Sequence, residues 1–208
     1  MKKLLLLGDY VQYSYHPLHA VEKELISILE EAFQITVCAE YAELTLGDLQ
    51  QYDVILDYID GWSRCGNSSL AAAMLQYVAQ GGSIFALHNG IIKRTHPDLE
   101  QLYGARQAGH PARTTLHYVF TSTSLVYEGL EPFDLFEEPY MFTMDPIADV
   151  AKFLSYHWED TDIPAGWTRL YGNGKVAVLS PGHDASVLQN TDLRRLIQRL
   201  AQWCANEI

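Results

Sequence analysis

Apolar positions in the first half of the chain follow two alternating periods. Residues 3–7 read as a strand whose four consecutive leucines, Leu4 to Leu7, are the signature of burial on both faces. Across residues 18–33, Val21, Leu25, Ile28, Leu29 and Ala32 recur at helical spacing with charges opposite them. Residues 34–39 and 53–58 read as short strands. Residues 69–79 form a second helical stretch that stops at Gly81-Gly82, and residues 83–87 give a fourth strand. A β-α-β-β-α-β progression of short apolar strands predicts an α/β fold: a doubly wound, mostly parallel sheet flanked by helices.

After Asn89 the texture changes. Residues 97–103 suit a short helix. Residues 113–122 alternate and carry Thr, Tyr, Val and Phe, so they read as a strand. Residues 130–140, rich in Pro, Phe and acids, read as irregular. Residues 151–158 are strand-like. Residues 167–171 and 175–179 flank Gly172-Asn173-Gly174 as a hairpin. A last helix spans residues 191–206, with Leu193, Leu196, Ile197, Leu200 and Trp203 on one face. No linker, repeat or low-complexity segment interrupts the chain, so residues 1–208 read as a single domain.

The formal charge of -12 excludes a nucleic-acid backbone as partner, since that requires a basic face. The opening Met1-Lys2-Lys3-Leu4 imitates a secretion signal, but its apolar run ends at Gly8-Asp9, short of the roughly 7–15 residues a signal core needs. No stretch approaches the roughly 20 apolar residues of a membrane span. Cys38, Cys65 and Cys204 are sparse and have no CxxC spacing, which predicts reduced thiols and a cytoplasmic protein.

The candidate chemistry lies where strands end. The run of residues 83–87 terminates in His88-Asn89-Gly90, and the run of residues 176–179 in Ser180-Pro181-Gly182-His183. In a parallel sheet, carboxyl ends of strands are where ligands bind, so both histidines are expected in one pocket. His88 is expected on a loop tip outside the core. Glu138, in Glu137-Glu138-Pro139-Tyr140 among Phe133, Phe136 and Phe142, is the third candidate acid/base residue. His16 and His19 follow the first strand, and Asp57 and Asp60 the third, at the same edge. Asp60 suits a substrate partner or a group that orients a histidine. His96 and His110 read as turn caps, and His117 and His157 as structural. Asn89 and Asp60 are candidate partners for substrate hydroxyls, with Trp62 and Tyr140 as rings for sugar stacking and Trp167 either a third such ring or core. The cofactor is unknown from sequence. Histidines with carboxylates make a divalent metal such as zinc the candidate, with His16, His88 and His183 as ligands. Their long-range spacing does not by itself establish a site.

Taken in order, several pieces resemble the ThuA-like family, named for trehalose utilisation. They are Gly81-Gly82 through His88, Gly109-His110-Pro111, Glu137-Glu138-Pro139-Tyr140, Pro164–Trp167, Gly172-Asn173-Gly174-Lys175-Val176, Gly182-His183 and the helix ending on Trp203. Lys175, where the family tends to carry Arg, and Pro139 inside the acidic motif depart from its pattern. The resemblance implies a class I glutamine amidotransferase-like, flavodoxin-like fold, with His88 at the amidotransferase nucleophile position. No cysteine stands there, so glutamine hydrolysis is not implied. It further implies a role in sugar metabolism. The expected function is acid/base hydrolysis or isomerisation of a small-molecule sugar or sugar derivative, by a monomer or homo-oligomer. The alternatives are a non-catalytic carbohydrate-binding or assembly protein, and a metal-dependent hydrolase outside sugar metabolism.

Overall fold

Uninterrupted apolar strands need cover on both faces, and that requirement organises the chain. The computed structural model describes residues 1–10, 15–60, 68–93 and 95–208. Five strands pair in parallel: β1 (Lys2–Gly8), β2 (Phe33–Cys38), β3 (Val54–Tyr58), β4 (Ser83–Leu87) and β11 (Gly174–Leu179), in spatial order β2-β1-β3-β4-β11. Beyond β11 the sheet continues antiparallel through β10 (Thr161–Tyr171), β9 (Ala151–Trp158), β6 (Thr114–Phe120) and β7 (Phe133–Glu137). Among the described residues this makes a nine-stranded mixed sheet, parallel in its first half. A small antiparallel pair, β5 (Ala105–Gly109) and β8 (Met141–Met144), stands apart.

The helices are α1 (Glu22–Leu29), α2 (Leu46–Leu49), α3 (Ser68–Ala79), α4 (Pro97–Tyr103) and α5 (Thr191–Cys204). Successive side chains of a strand point to opposite faces. Leu4 and Leu6 therefore join a core with Leu25, Ile28 and Leu29 of α1 and Leu193, Leu196, Ile197 and Leu200 of α5. Leu5 and Leu7 join the opposite core, with Leu70, Met74 and Tyr77 of α3 and Leu99 and Leu102 of α4. Each fully buried Leu stabilises the fold by roughly 1.5–3 kcal/mol. None of the described helices is long and apolar enough to cross a membrane.

Three departures from the sequence expectations have clear causes. The helix expected over residues 18–33 is broken into a 3-10 turn (Leu18–Ala20) and the short α1, because Phe33 is buried as the first residue of β2 beside Lys2. Residues 130–140 are not irregular: β7 lies within them, with Phe133, Leu135 and Glu137 turned inward and Asp134 and Phe136 outward. Its alternation is that of an edge strand exposed on one face, disguised by the acids on that face. The late hairpin is longer than expected, because β10 begins at Thr161. It accommodates Pro164 through register shifts on either side of Gly166.

The turn after β4 depends on close approach of two backbones. A Cβ on Gly90 would lie 1.8 Å from the Asp57 carbonyl oxygen, so no side chain fits there. By contrast, Gly47 within α2 has only the Thr45 hydroxyl, at 3.7 Å. We expect Gly90→Ala to destabilise the protein by about 3 kcal/mol or more, through forced separation of β3 from the turn. Gly47→Ala should instead stabilise it by up to about 1 kcal/mol through helix propensity. Urea denaturation of both variants checks this, and a Gly90→Ala protein as stable as wild type would refute the close approach.

Candidate active site

The parallel register sets Leu87 of β4 beside Leu179 of β11, so the residues that follow them emerge together. His88 leaves β4 with φ of 47°, a left-handed conformation that non-glycine residues seldom hold and that clusters at functional sites. Its Nδ1 lies 2.7 Å from the Ser180 carbonyl oxygen. A carbonyl only accepts, so Nδ1 carries the proton and the lone pair of Nε2 is left free. His88 is wholly buried, which corrects the expectation of a loop tip outside the core: truncating it would leave a cavity.

His183 follows the Pro181-Gly182 bend, and its ring lies 5.2 Å from that of His88, so the two strand-end histidines do share one site. His16 comes from the segment after β1. Its ring packs edge-on against both, at 4.7 Å from each. Its Nε2 is 3.2 Å from His183 Nδ1. Glu138, just beyond β7, brings Oε2 to 3.5 Å from His16 Nε2, 3.6 Å from His88 Nε2 and 3.4 Å from His183 Nδ1. These contacts are too long for good hydrogen bonds. Glu138 Oε2 is accordingly a buried acceptor with no hydrogen-bond partner among the described residues.

The four ligand-type atoms all lie within 4.8 Å of one another. A tetrahedron with metal–ligand distances of roughly 2.0–2.1 Å has edges of about 3.3 Å. Four of the six separations, at 3.2–3.6 Å, fall around that value. The donor set of three imidazoles and a carboxylate suits zinc or a similar divalent ion. The outer contacts fit as well, with His88 Nδ1 donating to Ser180 and His16 Nδ1 3.4 Å from Asp60 Oδ1.

Electrostatics follow from burial and neighbours. Burial draws the His16 imidazole down, but Asp60 and Glu138 more than offset this and raise its pKa to about 9. Burial dominates at His88 and lowers its pKa, against the pull of Glu137 and Glu138. Burial alone would raise Glu138, yet the imidazoles of His16, His183 and His88 hold its carboxyl far below the usual range. Burial, then Glu138 and Glu137, keep the Tyr140 phenol well above its ordinary value, so it stays a hydrogen-bond donor.

Other expected site residues have different roles. Tyr140 is wholly buried and cannot offer a ring to a sugar. It stacks on His88 at 4.6 Å, with its hydroxyl 3.2 Å from Nε2. Asn89 is also buried, and its Nδ2 donates to the Tyr58 carbonyl at 2.7 Å, tying β4 to β3. Asp60 accepts from the backbone N–H groups of Tyr15 and His16, at 2.5 and 3.2 Å. It thus orients His16 rather than facing a substrate. Its own N–H donates to Asp9 Oδ2 at 2.7 Å, and Asp9 also takes the Tyr41 hydroxyl. Trp167 is core, donating to the Tyr103 carbonyl. Asp57 lies inside β3 and is buried against Lys93 at 2.7 Å and the Tyr103 hydroxyl at 2.6 Å, apart from the cluster. His19 packs near Tyr10, outside the site. His117 and His157 pair with Asp134 and Asp162 on exposed strand faces. Trp62 and Cys65 lie outside the described residues.

Sequence reasoning undervalued two residues. His110, read as a turn cap, is the most open imidazole here, with Nδ1 3.8 Å from Glu138 Oε1 and its ring 5.3 Å from Tyr140. Glu137 is wholly buried beside the cluster. Its signal was present in the inward phase of β7, once that segment is seen as a strand.

Fold and cluster together define an α/β protein with a histidine–carboxylate centre at the carboxyl edge of its parallel strands. The family model ThuA, described as trehalose utilisation, matches residues 6–204, and the chain belongs to this family. No curated protein matches it. Among solved structures, the chain is similar to a ThuA-like protein of Bacteroides uniformis ATCC 8492, with a TM-score of 0.79 at 15% identity over 98% of this chain and 91% of that one. A ThuA-like protein of Parabacteroides merdae ATCC 43184 gives 0.78 at 16% identity, over 98% and 90% of the two chains. A cytoplasmic protein of Salmonella typhimurium LT2 gives 0.73 at 14% identity, over 97% and 99%. At such identities these likenesses establish the fold alone.

The raised pKa of His16 has a stability consequence for the metal-free protein. With a folded value of about 9 against 6.5 unfolded, its contribution is complete below the lower value and lost as pH rises through the higher. In chelator, the melting-temperature advantage of wild type over His16→Gln should be largest near about pH 6 and shrink towards about pH 9. An advantage that grows with pH would contradict the Asp60 and Glu138 pairing.

Proposed function

We propose that this protein is a metal-dependent enzyme of carbohydrate utilisation, acting on a neutral sugar derivative that carries a carbonyl. The observation that carries the reading is the convergence of His16, His88, His183 and Glu138 at spacings that suit one divalent ion. A dication held there would supply a Lewis acid for a sugar oxygen. Membership of the trehalose-utilisation family supports the carbohydrate assignment. The family resemblance, the reduced Cys38 and the Salmonella relative described as cytoplasmic favour a cytoplasmic setting.

The reaction that suits these residues is isomerisation by proton transfer beside a carbonyl. His110, partly exposed and with Nδ1 3.8 Å from Glu138 Oε1, is the base assigned to take a proton from the carbon next to the carbonyl. The electron pair of the broken C–H bond forms the new C=C bond, and the carbonyl oxygen takes up a proton. That proton comes from water, since Tyr140 is buried and its hydroxyl stays with His88 Nε2. His110 then returns its proton to the former carbonyl carbon while the hydroxyl on the adjacent carbon gives its proton back to water, so the new carbonyl forms with no net gain or loss of atoms. The burial of Tyr140 and Trp167 removes two of the three rings expected to make a passive sugar-binding platform.

Two measurements test this reading. Protein purified without metal resin and dialysed exhaustively should retain about one divalent ion per chain. Glu138→Gln and His183→Ala should each bind it at least tenfold more weakly. With Zn2+-loaded protein in D2O, keto-sugars should acquire deuterium beside the carbonyl, about 100-fold more slowly for His110→Ala. Metal uptake without deuterium incorporation from any keto-sugar would sink the isomerase assignment. Failure to take up metal would sink the whole reading.

A further inference from the structure

We infer that Glu137 is the positioning residue that assembles the centre, acting as an internal anionic ligand that binds the His183 and Glu138 segments together. The inference rests on the metal reading above and goes beyond it. Glu137 ends β7, the edge strand, and is wholly buried. A buried carboxylate is costly unless its oxygens are met by donors. Here Oε1 accepts from the N–H groups of Gly182 at 2.6 Å and His183 at 2.9 Å, and Oε2 accepts from the N–H of Glu138 at 2.9 Å.

The arrangement at Gly182 and His183 is an anion-binding nest. Two successive backbone N–H groups, the first from Gly182 with φ of +148°, converge on one carboxylate oxygen. At the carboxyl edge of a parallel sheet such a nest commonly holds a ligand's anionic group. In this protein the chain fills it with its own side chain. The Tyr58 hydroxyl, donating to the Gly182 carbonyl at 3.0 Å, fixes the same bend from the β3 side.

The consequence is geometric. His183 arrives from β11 and Glu138 from β7, and three antiparallel strands separate these two in the sheet. Glu137 joins their backbones through one rigid carboxylate. A second tie runs outside it, where Arg113 of the segment before β6 reaches Asp184 at 2.9 Å and the Phe136 carbonyl at 2.6 Å. Neither Glu137 nor Arg113 is among the four converging ligand atoms. Their effect on an ion is exerted through the positions of His183 and Glu138.

The test uses Co2+ as the probe, in the full chain, because its visible absorption reports ligand geometry. In Glu137→Gln, one end of the side chain becomes a donor, so the three N–H groups cannot all be met. The variant should remain folded by circular dichroism. It should bind Co2+ at least tenfold more weakly than wild type and with an altered spectrum. A residue that only stabilised the fold would leave the affinity and spectrum of the folded protein unchanged, and that result would overturn the inference. Should Glu137→Gln fail to fold, amide exchange in the metal-free wild type decides: Gly182 and His183 should be strongly protected, and exchange at the rate of an open loop would overturn it. Wild type that takes up no Co2+ overturns the metal reading and this inference with it. Normal wild-type uptake with unchanged Glu137→Gln uptake overturns this inference alone.

Discussion

The parallel pairing of β4 with β11 is the constraint on which the site depends. These strands are far apart in sequence, and nothing local brings their ends together. Once Leu87 stands beside Leu179, the chain after each must turn at the same edge. The turn that results is tight enough to force His88 into a left-handed conformation, and the Ser180 carbonyl then fixes its tautomer. Backbone strain of this kind costs on the order of 1–3 kcal/mol and persists only where its surroundings enforce it. Here the enforcement comes from Gly90 pressed against β3 on one side and Ser180 on the other.

Charge makes this centre a favourable place for a cation. Asp60, Glu137 and Glu138 bring three carboxyl groups into a region where water is scarce. Among the described side chains beside them, the positive partner is a histidine rather than a lysine or arginine, and Arg113 is engaged by Asp184 at the rim. Buried acids without matching cations are costly. One histidine with a strongly raised pKa, next to another whose pKa is lowered, is the protein's own partial remedy. A divalent ion would compensate the same charge more fully, and it would use Nε2 of His88, the lone pair its tautomer leaves free. The negative surroundings also favour a neutral substrate over an anionic one.

Much of this was legible in the sequence because it rests on short-range patterns. The strand-end positions of His88 and His183, and the parallel character of the first four strands, follow from apolar runs and glycine stops. The family resemblance is upheld by the match over residues 6–204. The roles of individual polar residues were less legible. Asn89 and Tyr140 looked like substrate contacts because both are polar and sit near strand ends. Asn89 is turned inward by its bond to β3, and Tyr140 lies against Phe142 of β8 and Tyr156 of β9, contacts that leave no local trace in the sequence. Lys93 shows the same limit: nothing in its neighbourhood signals a lysine buried against Asp57.

The mixed character of the sheet has a functional logic of its own. A wholly parallel sheet offers its carboxyl edge one loop per strand, each followed by a helix. That arrangement supplies His16, Asp60, His88 and His183, all from segments after parallel strands. It leaves one side of the centre open. The antiparallel extension closes that side, because β7 runs so that its last residue and the turn beyond it reach the same edge. Glu137, Glu138 and Tyr140 come from the end of β7 and the turn beyond it, and His110 from the end of β5 in the separate small pair. The parallel half thus provides the imidazoles with a rigid frame. The antiparallel half provides the carboxylate ligand and the phenol, and the small pair the most exposed base. A substitution that loosened the extension would leave His16 and His88 in place but release the bend that carries His183 and remove the carboxylate that faces all three histidines.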